Sequence, residues 1–246
     1  NKDGSLNSKY QHRFHIISQP YLNTEYLGFY TSSNDPIIRN KLIRQAINMG
    51  FDRVKMIRYL RNNIGIPGIY GITPPGIPGY DATQVKGYTY QPEKARALLK
   101  QAGYANGKGL PPITVYTNPS YLDLCKFMQH QLSEIGIKIN IDVSPPATLK
   151  EMVAKSKADF FRGSWIADYP DAENFLSLFY TPNKCPNGPN YTHYSNPEFD
   201  ELYVKSQSVQ QDSLRNLYYT RMDQLMIQDA PVIVLFYDRI LRFTQK

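Results

Sequence analysis

The sequence predicts an α/β fold, a mostly parallel sheet flanked by helices. Two observations carry this. Between residues 113 and 165 the apolar pattern alternates strand, helix, strand, helix, strand, which calls for parallel strands joined by right-handed crossovers. Near the end, Val232 to Tyr237 is almost wholly apolar, the pattern of a strand buried on both faces. A chain of 246 residues is long enough for a large core.

Taken in order, residues 13–18 and 26–31 read as extended. Phe14, Ile16 and Ser18 alternate with His15 and Ile17, and the run from Tyr26 to Tyr30 is β-prone. Pro36 opens a helix at a first-turn position, and Leu42, Ala46 and Met49 follow at helical spacing. Asp52 is an N-cap type that predicts a second helix to about Leu60. Residues 63–91 are too rich in Gly and Pro for a helix and too apolar for a flexible linker, so they form an ordered crossing loop. Pro92 starts a helix that Gly103 closes. Then come a strand over 113–117, a helix over 121–135, a strand over 137–143, a helix over 147–156 and a strand over 159–165. Helices are expected at 172–180, 197–208 and 212–228, the last with Leu214, Leu217, Tyr218, Leu225 and Met226 on its apolar side.

Composition narrows the function. Hydrophobic residues make up 41% and charged residues 20%, which excludes a bulk membrane protein and a disordered charged tail. No run approaches the ~18 apolar residues of a membrane span. Residues 1–110 hold 15 Lys/Arg against 6 Asp/Glu, a net of +9, while the remainder is at −2. The basic residues are dispersed, as in Arg39, Lys41, Arg44, Arg53, Lys55, Arg58 and Arg61. That spacing suits the wet face of helices better than a nucleic-acid surface. Cys125 and Cys185 form no zinc-site pattern and leave open one disulfide or two thiols.

No catalytic constellation stands out: there is no GxSxG, HExxH or GxGxxG. His12, His15, His130 and His193 fall in four separate contexts. The best enzyme reading is a carboxylate-based hydrolase using Asp168 and Asp171, but these crowd on one turn rather than flanking a sugar. The dense segment runs from Phe161 to Asp171. In it Arg162, Trp165 (the single tryptophan) and Asp168 meet at the expected C-terminal end of a buried strand, where ligands of open α/β sheets sit. Asp171 suits a helix N-cap. Asp168 either accepts a ligand ammonium or pairs with a neighbouring cation; Arg162 offers a fork to a carboxylate.

These residues resemble the oligopeptide- and dipeptide-binding proteins of ABC importers, extracellular solute-binding family 5. The resemblance runs in order through Tyr26 to Thr31, Arg39 to Asn48 with Asp52 and Arg53, Tyr90 to Tyr104, Gln131 to Ile137, Ser164 to Asp171, Tyr194 to Leu202 and Asp229 to Ile233. Tyr30, Phe51 and Ala172 depart from the family pattern. The resemblance implies a lobe of the type II periplasmic-binding kind within a two-lobed clamp, this chain resembling the C-terminal half. It divides the chain into a remnant of lobe one with its crossover (1–61), lobe two (62–230) and a strand returning toward lobe one (231–246). It implies a binding protein rather than an enzyme, with no cofactor or metal and no nucleic-acid partner. A monomer, it takes a short peptide and hands it to a membrane permease from the periplasm or the outer face of the cytoplasmic membrane, with a lipid anchor in some members. Asp168 then holds the peptide amine, Arg162 the carboxylate, and Trp165, Tyr169 and Tyr194 line the site. An extended stretch from 162 to 168 spans at most ~20 Å, room for a short peptide. Relatives with other cargo leave a nickel complex, haem or an oligosaccharide as alternatives.

Overall fold

The computed structural model describes every residue except Asp3. Short polar side chains set the helix starts near the N-terminus. The Asp35 carboxylate accepts from the Ile37 N–H ahead of α1 (Pro36–Arg39), and Asn40 caps α2 (Lys41–Met49). Asp52 accepts from Val54 and Lys55 N–H groups to start α3 (Arg53–Leu60). Each satisfies donors that the first helical turn leaves without intrahelical partners. These helices follow β1 (Phe14–Phe29), and β2 (Ile66–Pro67) opens the Gly/Pro-rich loop. Then come α4 (Pro92–Gln101), β3 (Ile113–Thr117), α5 (Leu122–Ser133), β4 (Ile139–Val143), α6 (Pro146–Ala154) and β5 (Phe160–Ile166). The remainder is α7 (Glu173–Leu176), α8 (Pro197–Ser208), α9 (Asp212–Asp229) and β6 (Val232–Gln245).

The six strands form one sheet in the order β2-β6-β1-β5-β3-β4. Only β3–β4 and β3–β5 are parallel; β1–β5, β1–β6 and β2–β6 are antiparallel. The α/β class with flanking helices holds, but the sheet is mixed rather than mostly parallel. The local alternation over 113–165 shows the parallel part alone, because β1 and β6 reach the sheet from the two ends of the chain. Residues 1–61, 62–230 and 231–246 all contribute strands to this sheet.

Successive residues of the central strands face opposite cores. Tyr26, Phe161, Val232 and Val234 join one, with α6, α8, α9 and the crossing loop; Leu27, Phe160, Ile233 and Leu235 join the other, with α1 to α5. The expectation for Val232 to Tyr237 holds: all six are buried. Beyond it, Phe14 to Gln19 and Ile240 to Gln245 pair as a ribbon whose side chains are mostly exposed.

Three further expectations fail. Arg44 and Arg53 are not on a wet face: they are 7% and 2% exposed. Arg44 donates to the carbonyls of Asp229 and Ala230 at the C-terminal end of α9, and Arg53 to that of Val234 in β6, so the two tie α2 to α9 and α3 to β6. Burial lowers the pKa of each to about 10. On α9, Leu217 is exposed; the packed face carries Tyr219, Met222, Asp223 and Met226. Residues 172–180 make one α-turn and one 3-10 turn instead of a full helix. Cys125 and Cys185 are free, buried thiols.

Candidate functional site

The site is built at the edge of β5. On one side β5 pairs with β1 from Asn23↔Ile166 to Phe29↔Phe160. On the other, its pairing with β3 is confined to Tyr116↔Phe161. β3 ends at Thr117, so β5, which runs on to Ile166, extends past the C-terminal end of its parallel neighbour β3. In an antiparallel ladder every second residue turns its N–H and C=O away from the partner strand. Among the described residues no strand occupies that outer edge over Arg162–Ile166.

A cleft of about 340 Å³ lies there. Tyr26, Phe161 and Gly163 line it, as do Pro146, Leu149, Lys150 and Val153 of α6. Gly163 is required by close packing: a Cβ would lie 2.5 Å from the Tyr26 ring. Trp165 and Tyr191 line it as well. The Trp165 indole N–H donates to Asn174 Oδ1 at 2.8 Å, and the Asp168 backbone N–H reaches the same oxygen at 3.2 Å. Asn174 is buried on α7, so one amide oxygen fixes the indole and the turn that follows it. Sequence reasoning missed Asn174; its one signal was a polar side chain directly before the apolar pair Phe175 and Leu176.

Arg162 lines the cleft but is already engaged. Its Nη2 donates to Glu25 Oε2 at 2.7 Å, and the guanidinium lies 3.9 Å over the Tyr121 ring. Burial pulls its pKa down, but Glu25 and Tyr121 outweigh that, and the net direction is up. Among the described residues, the buried Nε–H has no hydrogen-bond partner. The Glu25 carboxylate also accepts from Asn23, which donates to Asp238, the partner of Arg61.

The five sequence candidates therefore separate. Arg162 and Trp165 line the cleft. Asp168 is exposed just past the end of β5, and its carboxylate has no partner among the described residues. Tyr169 is exposed and donates to Glu173. Tyr194 lies in the core, 4% exposed, with its hydroxyl on Asp229 at 2.9 Å and its ring edge-on to Phe179 and Phe199. Tyr191, three residues earlier, lines the cleft instead. Asp171 accepts from the Glu173 N–H at 2.9 Å, the helix-start role expected of it. Among the described residues no group of three or more His, Cys, Asp or Glu could hold a metal ion.

The family model for bacterial extracellular solute-binding proteins, family 5 (middle region) matches residues 3–187. The chain belongs to family 5. Among curated members, Di/tripeptide-binding protein 2 of Pseudomonas aeruginosa is 29% identical over 231 residues, covering 89% of this chain and 40% of that protein. Heme-binding protein A of Haemophilus influenzae is 26% identical, covering 89% of this chain and 40% of its own length. The Helicobacter pylori periplasmic binding protein DppA, solved in complex with the peptide STSA, is 26% identical with a TM-score of 0.82, over 94% of this chain and 44% of that one. The chain thus spans about two-fifths of the length of the curated family 5 members it matches. No helix among the described residues is long and apolar enough to cross a membrane.

Proposed function

We propose that this chain forms one wall of a clamp that captures short peptides outside the cytoplasmic membrane and presents them to an ABC permease. The free outer edge of β5 beside the cleft carries this reading. An extended peptide adds to such an edge through main-chain hydrogen bonds, which are blind to side-chain identity. The Asp168 carboxylate, exposed just past the end of that edge and without a partner among the described residues, takes the peptide's ammonium. Trp165 supplies a flat apolar wall. Nothing in the arrangement calls for a chemical step, and the chain works as a monomer. The projecting end of the β1–β6 ribbon leads toward a second lobe, whose closure buries the ligand.

Trp165 is the single tryptophan, so its fluorescence reports on the cleft directly. Titration with trialanine shifts the emission. N-acetyl-trialanine binds about tenfold or more weakly, since a charge-assisted hydrogen bond contributes ~1.5–3 kcal/mol. Asp168→Asn removes that preference. Equal affinity of both peptides for the unaltered chain refutes the amine assignment.

A further inference from the structure

We infer that Lys150, rather than Arg162, receives the anionic end of the ligand; this rests on the peptide reading of the cleft. α6 turns Pro146, Leu149, Lys150 and Val153 toward the cleft, the i, i+3, i+4, i+7 face of a helix. Leu149 and Val153 are buried, which fixes the helix, while Lys150 stands exposed at the rim. Lys150 has no ion pair or hydrogen bond among the described residues. Its acidic neighbour on the helix, Glu151, is taken by Lys155 at 2.5 Å.

Arg162, the other cation lining the cleft, is neutralised. Glu25 holds it at 2.7 Å, and that carboxylate is only 6% exposed. A ligand carboxylate approaching Arg162 meets the Glu25 charge beside it. Pulling the guanidinium away strands a buried carboxylate, which is costly. The uncompensated positive charge lining the cleft is therefore that of Lys150. With Asp168 past the C-terminal end of β5 and Lys150 on α6, the ligand lies with its amine toward Asp168 and its carboxylate toward α6. An ammonium on a four-carbon stem can follow a carboxylate across several ångströms, about one residue of extended chain at ~3.3 Å. The site then tolerates peptides that differ in length by about one residue, which a rigid Arg–Glu pair would not.

The group recognised is a carboxylate, either a chain terminus or an acidic side chain. The test titrates the full chain with trialanine, its C-terminal amide and Ala-Ala-Glu amide, following Trp165 fluorescence. Trialanine binds more tightly than its amide by about 3- to 30-fold, between the strengths of a surface pair and a dry charge-assisted bond. Lys150→Gln lowers trialanine to the level of the amide and leaves the amide unchanged, whereas Lys150→Arg retains the preference. Recovery of affinity by the Glu side chain, lost in Lys150→Gln, assigns the same site to side-chain carboxylates. Unchanged trialanine affinity in Lys150→Gln, or equal losses for acid and amide, overturns the inference while Asp168→Asn still tests the peptide reading. Failure of the unaltered chain to bind any of the three overturns both.

Discussion

Asp223 lies on the packed face of α9, fully buried, with its carboxylate against the crossing loop. One oxygen accepts from Ile72 N–H at 2.8 Å; the other accepts from Thr73 N–H at 3.2 Å and the Tyr80 hydroxyl at 3.0 Å. Burial pushes its pKa up to about 6 from 3.8, against the opposing pull of these donors. The folded state therefore binds the proton more tightly than the unfolded chain. The stability this contributes is full below about pH 3.8 and is lost as pH rises through about 6. Two units at ~1.36 kcal/mol each make roughly 3 kcal/mol. Asp223→Asn removes the titration and keeps the shape, but its NH₂ cannot accept from Thr73, an orphaned donor costing ~1–3 kcal/mol. The variant is thus less stable than the parent at pH 4 and close to it or slightly more stable at pH 7. Urea unfolding at a series of pH values measures this, with the m-value held constant as the check that only stability changes. The difference between the two proteins isolates Asp223 from the other carboxylates. A difference curve flat from pH 4 to 7 refutes the reasoning.

Two further outcomes follow from the site's construction. Glu25→Ala leaves the Arg162 guanidinium, 18% exposed, without its counter-charge and should destabilise the chain by ~2–4 kcal/mol in denaturant titration; a change within error means that water already solvates the pair. Gly163→Ala drives a methyl into the Tyr26 ring at 2.5 Å, costing ~1–3 kcal/mol by thermal unfolding, and an unshifted melting temperature shows that the ring can yield.

The parts of the fold that were legible in the sequence are those governed by neighbours in the chain. Asp52 marks the start of α3 through bonds to N–H groups two and three residues on, and Pro92 starts α4 through its fixed φ, without a side-chain cap. The position of β3 and the double burial of Val232 to Tyr237 were readable from pattern for the same reason. The site was half legible. Arg162 and Trp165 both lie on β5, the strand that borders the cleft, where strand position alone places them. Tyr191 and Tyr194 are indistinguishable by composition, and the loop conformation sends one to the cleft and the other to Asp229.

By itself the amino-acid order determined where most helices and strands begin, that Val232 to Tyr237 is buried, and the segment that carries the free outer edge of β5. The tertiary structure alone decided that β1 lies antiparallel between β6 and β5, that Glu25 cancels Arg162 across 137 residues of sequence, and that Lys150 is left charged at the rim. The reason is range: helix caps and strand patterns are settled by bonds among adjacent residues, whereas the net charge of a cleft depends on which distant side chains the sheet order brings within ~3 Å of each other.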